Sequence, residues 1–312
     1  MDNINFKSFQ EAGQAVLHYL HQHFGFKLWM ITRVEGNDWI VLQTEDHGYG
    51  IQPGQVFEWA NSFCFHMIEG NAPAIAPRSE DIPLYATAPM QQNFCIKSYI
   101  GQPLFNEDGT LFGTLCAVDP EVQPYTIIED IGMVELFGKL LSSVLQAELR
   151  KHEHTRQQEL LKQQASKDEL TQLYNRRAWE KLLQTEEQRC KQYGYSAAVF
   201  FIDLNDLKKV NDSFGHQEGD RLIQHAAQVL RDNVRSNDIV ARIGGDEFVI
   251  LSVENEKASA ERLLDRLIQA FANAKIEAAI GMAMRHPNTG LIEAQIQADK
   301  RMFDYKRWKK ST

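Results

Sequence analysis

No window of the chain holds the roughly 20 consecutive apolar residues that a membrane-spanning helix needs. The opening "MDNINFKSFQEAGQ" has neither the basic n-region nor the apolar h-region of a signal peptide. A cytoplasmic protein with no membrane partner is therefore expected. Basic charge is also short: 33 Lys and Arg stand against 42 Asp and Glu, a formal net charge of -9. Non-specific binding to DNA or RNA requires a basic footprint, so no nucleic-acid partner is expected either. Cysteine is sparse. Cys64, Cys95, Cys116 and Cys190 form no CxxC pair, which argues against a zinc knuckle or a disulfide framework. They read as reduced thiols packed like small hydrophobes.

What is present suffices for two cores. The chain has 312 residues, 43% hydrophobic and 24% charged, which fits two ordinary globular domains. Its pattern is α+β (α/β). In the first half, "FKLWMITRVEG" and "DWIVLQTE" are strand-like and separated by the turn Glu35-Gly36-Asn37. "EWANSFCFHMIEG" has helical apolar spacing and a stop at Gly70, and "NEDGT" reads as a hairpin turn between "IKSYIGQPLF" and "LFGTLCAVD". An antiparallel sheet with packed helices follows from that order.

Residues 127 to about 165 contain no proline and only Gly138 in mid-run. One heptad frame puts Phe137, Val144, Lys151, Gln158 and Ala165 at a, with Leu140, Ala147, His154 and Leu161 at d. The seam is apolar first and polar later, which reads as a weak parallel stalk or as a solvated connecting helix. The boundaries are 1–132 for the first domain, 133–165 for the helical linker and 166–312 for the second domain.

In the second domain "SKDE" has the form of a capping box. Asn175 is placed to cap "RRAWEKLLQTEEQRCKQY", and Gly194 to end it. "AAVFFID" is a short buried strand. Helical stripes run through Leu222, Ala226, Val229 and Leu230, and through Leu263, Leu264, Leu267, Ile268 and Phe271. Between them lies the hairpin "DIVARIGGDEFVILS".

Asp203 ends the "AAVFFID" strand, and Asp246 with Glu247 follows the glycine pair. If the hairpin pairs beside the Asp203 strand, these acids converge. Acids that close repel unless a cation separates them, and hard oxygen donors suit Mg²⁺ or Mn²⁺. Solvated turn acids are the plain alternative. The run "DLNDLKKVNDSFGHQEGD" adds Lys208 and Lys209 as counter-charges for phosphate, Gly215 and Gly219, and Asn211 with Asp220 as a donor and acceptor set for a guanine edge. Metal, phosphate and base recognition together make a nucleotide site.

Four ordered blocks, "DELTQLYNRR", "DLNDLKKVNDSFGHQEGD", "RIGGDEF" and "IQADKRMFDYK", closely resemble the GGDEF domain of diguanylate cyclases over residues 166–312. The resemblance implies a fold like the nucleotidyl cyclase and polymerase palm. It also implies condensation of two GTP into cyclic di-GMP, one GTP per subunit of a head-to-tail pair. By this resemblance Asp203, the carbonyl of Leu204, Asp246 and Glu247 hold two divalent ions. Asp246, Glu247 and Lys208 form the catalytic set. Asp206, Leu207, Asn211, His216, Asp220, Lys306 and Lys310 contact GTP. The spacing "RSND" puts Arg235 and Asp238 in the family's RxxD inhibitory pattern, with Arg266 as a secondary arginine and cyclic di-GMP as inhibitor.

There are departures. Asn205 and Leu207 stand where many members carry aspartate and phenylalanine, Ala279 replaces a frequent serine, and "YKRWKKST" lacks the usual glycine-arginine-asparagine ending, so that a phosphate contact there falls to Lys310 or is lost. None of these removes an implied metal ligand.

The first domain resembles a GAF domain through "SFCFHMIEGNAPAIAP" and "SYIGQPLFNEDGTLFGTLCAVDP". That implies a sensory, homodimerising module whose ligand the sequence does not name. His66 near Cys64 reads as a packed or surface histidine, having no paired ligand. The competing readings are a non-catalytic cyclic di-GMP receptor and a regulator of a partner protein. Both predict no turnover.

Overall fold

The computed structural model describes residues 6–162, 167–253 and 256–311, with side chains except those of 154, 157–162, 310 and 311. The chain forms two compact units, residues 1–157 with 192–194, and residues 158–191 with 195–312. Among the described residues no helix is long and apolar enough to cross a membrane.

The first unit opens on α1 (Phe9–Phe24), a helix with no counterpart in the patterns above. The Ser8 hydroxyl accepts the Glu11 amide at its start, and Gly25 at φ +72° ends it. The sheet comprises β1 (Leu28–Glu35), β2 (Asp38–Asp46), β3 (Val56–Glu58), β4 (Ile75–Ala76), β5 (Ser98–Phe105) and β6 (Leu111–Asp119). The strands lie in the order β3-β2-β1-β6-β5-β4, every neighbour antiparallel. Gly36 and Gly109 take positive φ in the two hairpin turns expected there.

The helical spacing from Glu58 yields only a short α2 (Phe63–Ile68). Residues Trp59–Asn61 form a 3₁₀ turn, and the Ser62 hydroxyl takes the Phe65 amide at 3.0 Å, which fixes the true start. Past the one-turn α3 (Pro83–Ala86), the long α4 (Ile131–Lys162) begins. It buries Val134, Gly138, Leu141 and Leu145, and its Ser142 hydroxyl accepts the Phe105 amide of β5. Leu136, Leu140 and Ala147 are exposed on another face, with Phe137 and Val144 half-buried. The heptad positions His154, Gln158, Leu161 and Ala165 lie outside the described side chains.

The second unit does not begin with a helix at the "SKDE" box. Ser166 lies outside the described residues, Lys167 bridges to Tyr174, and Asp168 closes a turn by accepting the Thr171 amide at 2.9 Å. Asp168 is a turn acceptor, and no helix begins among residues 167–172. β7 (Tyr174–Asn175) leads into α5 (Arg176–Tyr193), capped by Asn175 Oδ1 on the Ala178 amide and closed by Gly194 at φ +69°. Then follow β8 (Ala197–Leu204), α6 (Leu207–Phe214), α7 (His216–Asn233), β9 (Ile239–Arg242), β10 (Glu247–Val253), α8 (Lys257–Asn273), β11 (Ala278–Met284) and α9 (Gly290–Ser311).

The sheet order is β11-β8-β10-β9-β7, antiparallel except where β7 meets β9. β8 is central and covered on both faces. Ala198, Phe200 and Ile202 face one cluster with Ile223 and Leu267, while Ala197, Val199 and Phe201 face another with Trp179 and Ala298. That two-sided burial is why the strand reads as an unbroken apolar run. The α7 stripe centres on Ile223, Ala226, Ala227 and Leu230, leaving Leu222 and Val229 at its margin, and Ile268 of α8 stays exposed.

β11 lies so close to α9 that a Cβ on Gly281 would stand 2.0 Å from the Ala298 carbonyl oxygen and 2.3 Å from the Met302 nitrogen. Both obstacles are backbone. Gly281→Ala is expected to cost the second unit about 3 kcal/mol, read by urea unfolding. A second test uses Glu187, which accepts Arg285 Nε at 2.9 Å, Arg285 Nη2 at 3.0 Å and the Leu291 amide at 2.8 Å. Burial opposes its charge, but these bonds outweigh burial and hold the carboxyl below the ordinary value. A depressed folded pKa stabilises above the unfolded value and loses that effect as pH falls through the folded one. Glu187→Gln should therefore destabilise clearly at pH 7 and approach wild type only as pH falls well below the ordinary glutamate range, measured by melts across pH.

Candidate functional site

The register of β8 against β10 sets the site. Asp203 pairs directly with Glu247, and the Leu204 amide donates to the Asp246 carbonyl at 3.0 Å. The hairpin therefore pairs beside the Asp203 strand as expected, with Glu247 opposite Asp203. Side-chain alternation divides the acids. Asp203 and Glu247 share the parity of Val199 and Val249, whose face is covered by α5 and α9. Asp246, in the turn, lines a cleft instead.

The glycines serve different ends. Neither takes positive φ. A Cβ on Gly244 would stand 2.4 Å from Glu247 Oε2, so glycine leaves room for that carboxylate against the turn, whereas Gly245 faces open space. The turn is held by Arg242. Its Nη2 and Nε donate to the Gly245 carbonyl at 2.8 and 3.3 Å, Nε also reaches the Gly244 carbonyl at 3.1 Å, and Nη1 meets both Asp168 oxygens at 3.2 and 3.3 Å. Burial opposes the Asp168 charge, but Thr171 and Arg242 together bring the carboxyl below its ordinary value. This Arg242–Asp168 clamp was not read as functional from sequence. Its signal was the bare presence of both residues in the "DELTQLYNRR" and "RIGGDEF" blocks.

The cleft is walled by Asp206, Lys208, Lys209, Asp246, Lys306 and Lys309, with Leu204, Leu207 and Glu277 among its other lining residues. Asp206 sits at φ +64° where the chain leaves β8 for α6, and it pairs with Lys209 at 2.7 Å. Lys306 of α9 reaches Asp203 Oδ1 at 2.5 Å. Lys309, one turn on, pairs with Glu277. Sequence reasoning named Lys310, whose side chain lies outside the described residues, and passed over Lys309. The i, i+3 spacing from Lys306 was the available signal.

Asn211 lies on α6, with His216 at the first position of α7 and Asp220 one turn further. His216 and Asp220 are exposed. Asn211 Oδ1 is buried without a hydrogen-bond partner, and a Cβ on Gly219 would approach it to 1.9 Å, so glycine is what lets α6 and α7 close here. On the far side of the unit the Asp238 carboxylate accepts the Arg235 amide at 2.9 Å and the Ser252 hydroxyl at 2.7 Å. The Arg235 side chain is exposed, and Arg266 Nε donates to the Asn233 carbonyl at 3.0 Å.

Among the described residues no three His, Cys, Asp or Glu side chains stand together as a ready chelate. The donor chemistry nevertheless fits a hard divalent cation. Asp203, Asp246 and Glu247 are oxygen donors at one sheet end, and a cationic lysine occupies Asp203. Glu247 bears the strain of that gathering. Burial, then the charges of Asp246, Asp203 and Asp299, push its carboxyl above the ordinary value, with Arg176 opposing.

Residues 165–311 match the family model described as diguanylate cyclase, GGDEF domain, and residues 8–145 match the GAF domain model. The chain is 26% identical over 265 residues to the diguanylate cyclase DgcP of Escherichia coli K12, covering 81% of this chain and 76% of that protein. It is 37% identical over 154 residues to the bifunctional diguanylate cyclase/cyclic di-GMP phosphodiesterase MucR of Pseudomonas aeruginosa, covering 46% of this chain but 22% of that protein. Among solved structures, a sensory box/GGDEF family protein from Caulobacter crescentus is 31% identical, with 46% of this chain and 98% of that chain covered and a TM-score of 0.42.

The electrostatics are testable without any ligand. In a ¹³C carboxyl NMR titration Glu247 should titrate above the ordinary glutamate value, and Asp246→Asn should lower it by removing the neighbouring like charge. An unchanged Glu247 midpoint in the variant would show that the acids do not interact.

Proposed function

Since residues 165–311 belong to the GGDEF family of diguanylate cyclases and residues 8–145 to the GAF family, we propose that the chain condenses two GTP into cyclic di-GMP and two pyrophosphates. The observation that carries this reading is the junction of the acidic end of β8 and β10 with the lysine-walled cleft. A triphosphate lying in the cleft would meet Lys208, Lys306 and Lys309, while its α-phosphorus would lie toward Asp246. When bound at Asp203, the Leu204 carbonyl, Asp246 and Glu247, two Mg²⁺ or Mn²⁺ ions supply charge neutralisation for the leaving pyrophosphate. Lys306, now paired with Asp203, would hold phosphate where Asp203 served as a metal ligand.

Glu247, which stands opposite Asp203 at the end of β8 and β10, would take the proton of an attacking 3'-hydroxyl. Lys208 stabilises charge on the phosphates. Asn211, His216 and Asp220 would read the guanine, with Asp206 and Leu207 beside it and Lys310 near the phosphates. Rotation of Asn211 would exchange an orphaned buried acceptor for a partnered one. The second GTP comes from a second subunit. The exposed Leu136, Leu140 and Ala147 with half-buried Phe137 and Val144 are the apolar face that a parallel homodimer through α4 and the GAF unit would cover. A GAF ligand would act by biasing that stalk between productive and idle registers. Product inhibition is assigned to Arg235, Asp238 and Arg266, whose exposed arginines suit a planar guanine and phosphate. Four free cysteines are consistent with a cytoplasmic setting.

Purified dimer freed of bound nucleotide, given GTP and Mg²⁺, should release pyrophosphate and yield cyclic di-GMP on chromatography. Asp246→Ala should fall to background while keeping its fold. Arg235→Ala should raise the product concentration at which the reaction stalls. Binding of cyclic di-GMP without turnover by the wild type would replace the enzyme reading with that of a receptor.

A further inference from the structure

Two of the four thiols lie together in the core of the first unit. Cys64 of α2 is 1% exposed and Cys116 of β6 is 0% exposed, and both sulfurs lie against the same Thr114 hydroxyl, at 3.4 and 3.7 Å. Around them the polar side chains are arranged in one direction. Thr32 Oγ1 accepts the Trp39 indole N–H at 2.9 Å and the Thr114 amide at 3.2 Å, so its single proton goes to Thr114, whose Oγ1 lies at 2.8 Å and carbonyl at 3.1 Å. The Thr114 hydroxyl is left to donate to sulfur, with Cys64 Sγ at 3.4 Å and Cys116 Sγ at 3.7 Å. The Tyr99 hydroxyl donates to Cys64 Sγ at 3.2 Å.

Sulfur is a weak acceptor, and a core built only for packing has no need to direct two hydroxyls at one thiol. Donors of this kind stabilise negative charge on sulfur. They also make the two thiols unequal. Burial opposes ionisation at both, but hydrogen bonds from Cys116, Thr114 and Tyr99 outweigh it at Cys64 and bring that thiol below its ordinary value. At Cys116 burial and the neighbouring Cys64 push the thiol well up. Two hydroxyls thus donate to the Cys64 sulfur, and the Cys116 sulfur lies against one of the same hydroxyls.

We propose that Cys64 and Cys116 form a reversible thiol–disulfide couple, oxidised by a small neutral hydroperoxide. Burial excludes bulky or charged oxidants, so hydrogen peroxide is the natural reagent. The Cys64 sulfur attacks one peroxide oxygen, the O–O bond breaks, and water leaves with a sulfenic acid formed on Cys64. The Cys116 sulfur then attacks Cys64, the S–O bond breaks, and a second water carries away the hydroxyl and the Cys116 proton. Two thiols lose two electrons and two protons, and one peroxide becomes two waters. A dithiol reverses the change by exchange. In the disulfide Cys64 is no longer a thiolate-like acceptor, so the Tyr99 and Thr114 hydroxyls lose the partner that organises them.

The test uses the full chain and needs no assay of the diguanylate cyclase reaction. Reduced protein is treated with stoichiometric hydrogen peroxide, denatured in an alkylating agent and digested for mass spectrometry. A Cys64–Cys116 linked peptide should appear, at lower peroxide than oxidation of the exposed Cys95 requires, and should vanish with dithiothreitol. Cys116→Ala should stop at a sulfenic acid that dimedone traps on Cys64. Tyr99→Phe, lacking one donor to the sulfur, should form the link several-fold more slowly. The proposal is overturned if Cys64 and Cys116 both stay alkylatable at a dose that oxidises Cys95, or if the link joins another pair.

Discussion

Three carboxylates at one end of an apolar sheet repel one another, and most of the second unit is arranged around that repulsion. β8 and β10 are buried on both faces, so their register is fixed by hydrophobic side chains far from the acids. Having fixed it, the core brings Asp203 and Glu247 together whatever the electrostatic cost. That cost appears as a raised carboxyl on Glu247 and as a lysine drawn onto Asp203. A divalent cation held by these acids would relieve the same strain.

The remaining parts of the site are positioned by supports outside it. Arg242 neutralises the turn carbonyls and is anchored by Asp168, more than seventy residues earlier in the chain. Gly244 gives up a side chain so that the Glu247 carboxylate fits, and Gly219 does so in order that Asn211 packs against α7. Gly281 lets α9 approach the sheet closely, and α9 carries Lys306 and Lys309 into the cleft. None of these glycines needs an unusual φ. Each is required by what lies next to it.

Much of the architecture was legible. The turns at Gly36 and Gly109, the Asn175 cap and the alternation of strands and helices in the second unit were all visible as local patterns, because caps and turns depend on neighbours in sequence. The errors have the same explanation in reverse. The helix read from Glu58 starts only after Ser62, since one hydroxyl outweighed the apolar spacing upstream. No helix starts at the described part of "SKDE", where Asp168 closes a turn on Thr171 and meets Arg242. Lys309 was missed because "KRWKK" offers several lysines, and only the helix phase decides which one faces the cleft. In the first unit the thiols were read as reduced and packed like small hydrophobes. No spacing in the sequence placed Thr114 and Tyr99 on the Cys64 sulfur.

The sequence by itself determined which residue types would be available: hard oxygen donors after a glycine pair, lysines beside a strand end, an amide and an acid at helical spacing. It did so because chemical identity and local periodicity are properties of short windows. The tertiary structure alone decided which of them meet. Asp203 faces Glu247 by strand register, and Lys306 faces Asp203 across 103 residues because a side-chain-free Gly281 lets α9 lie on β11. Those distances come from packing across the whole core, and no local window contains them.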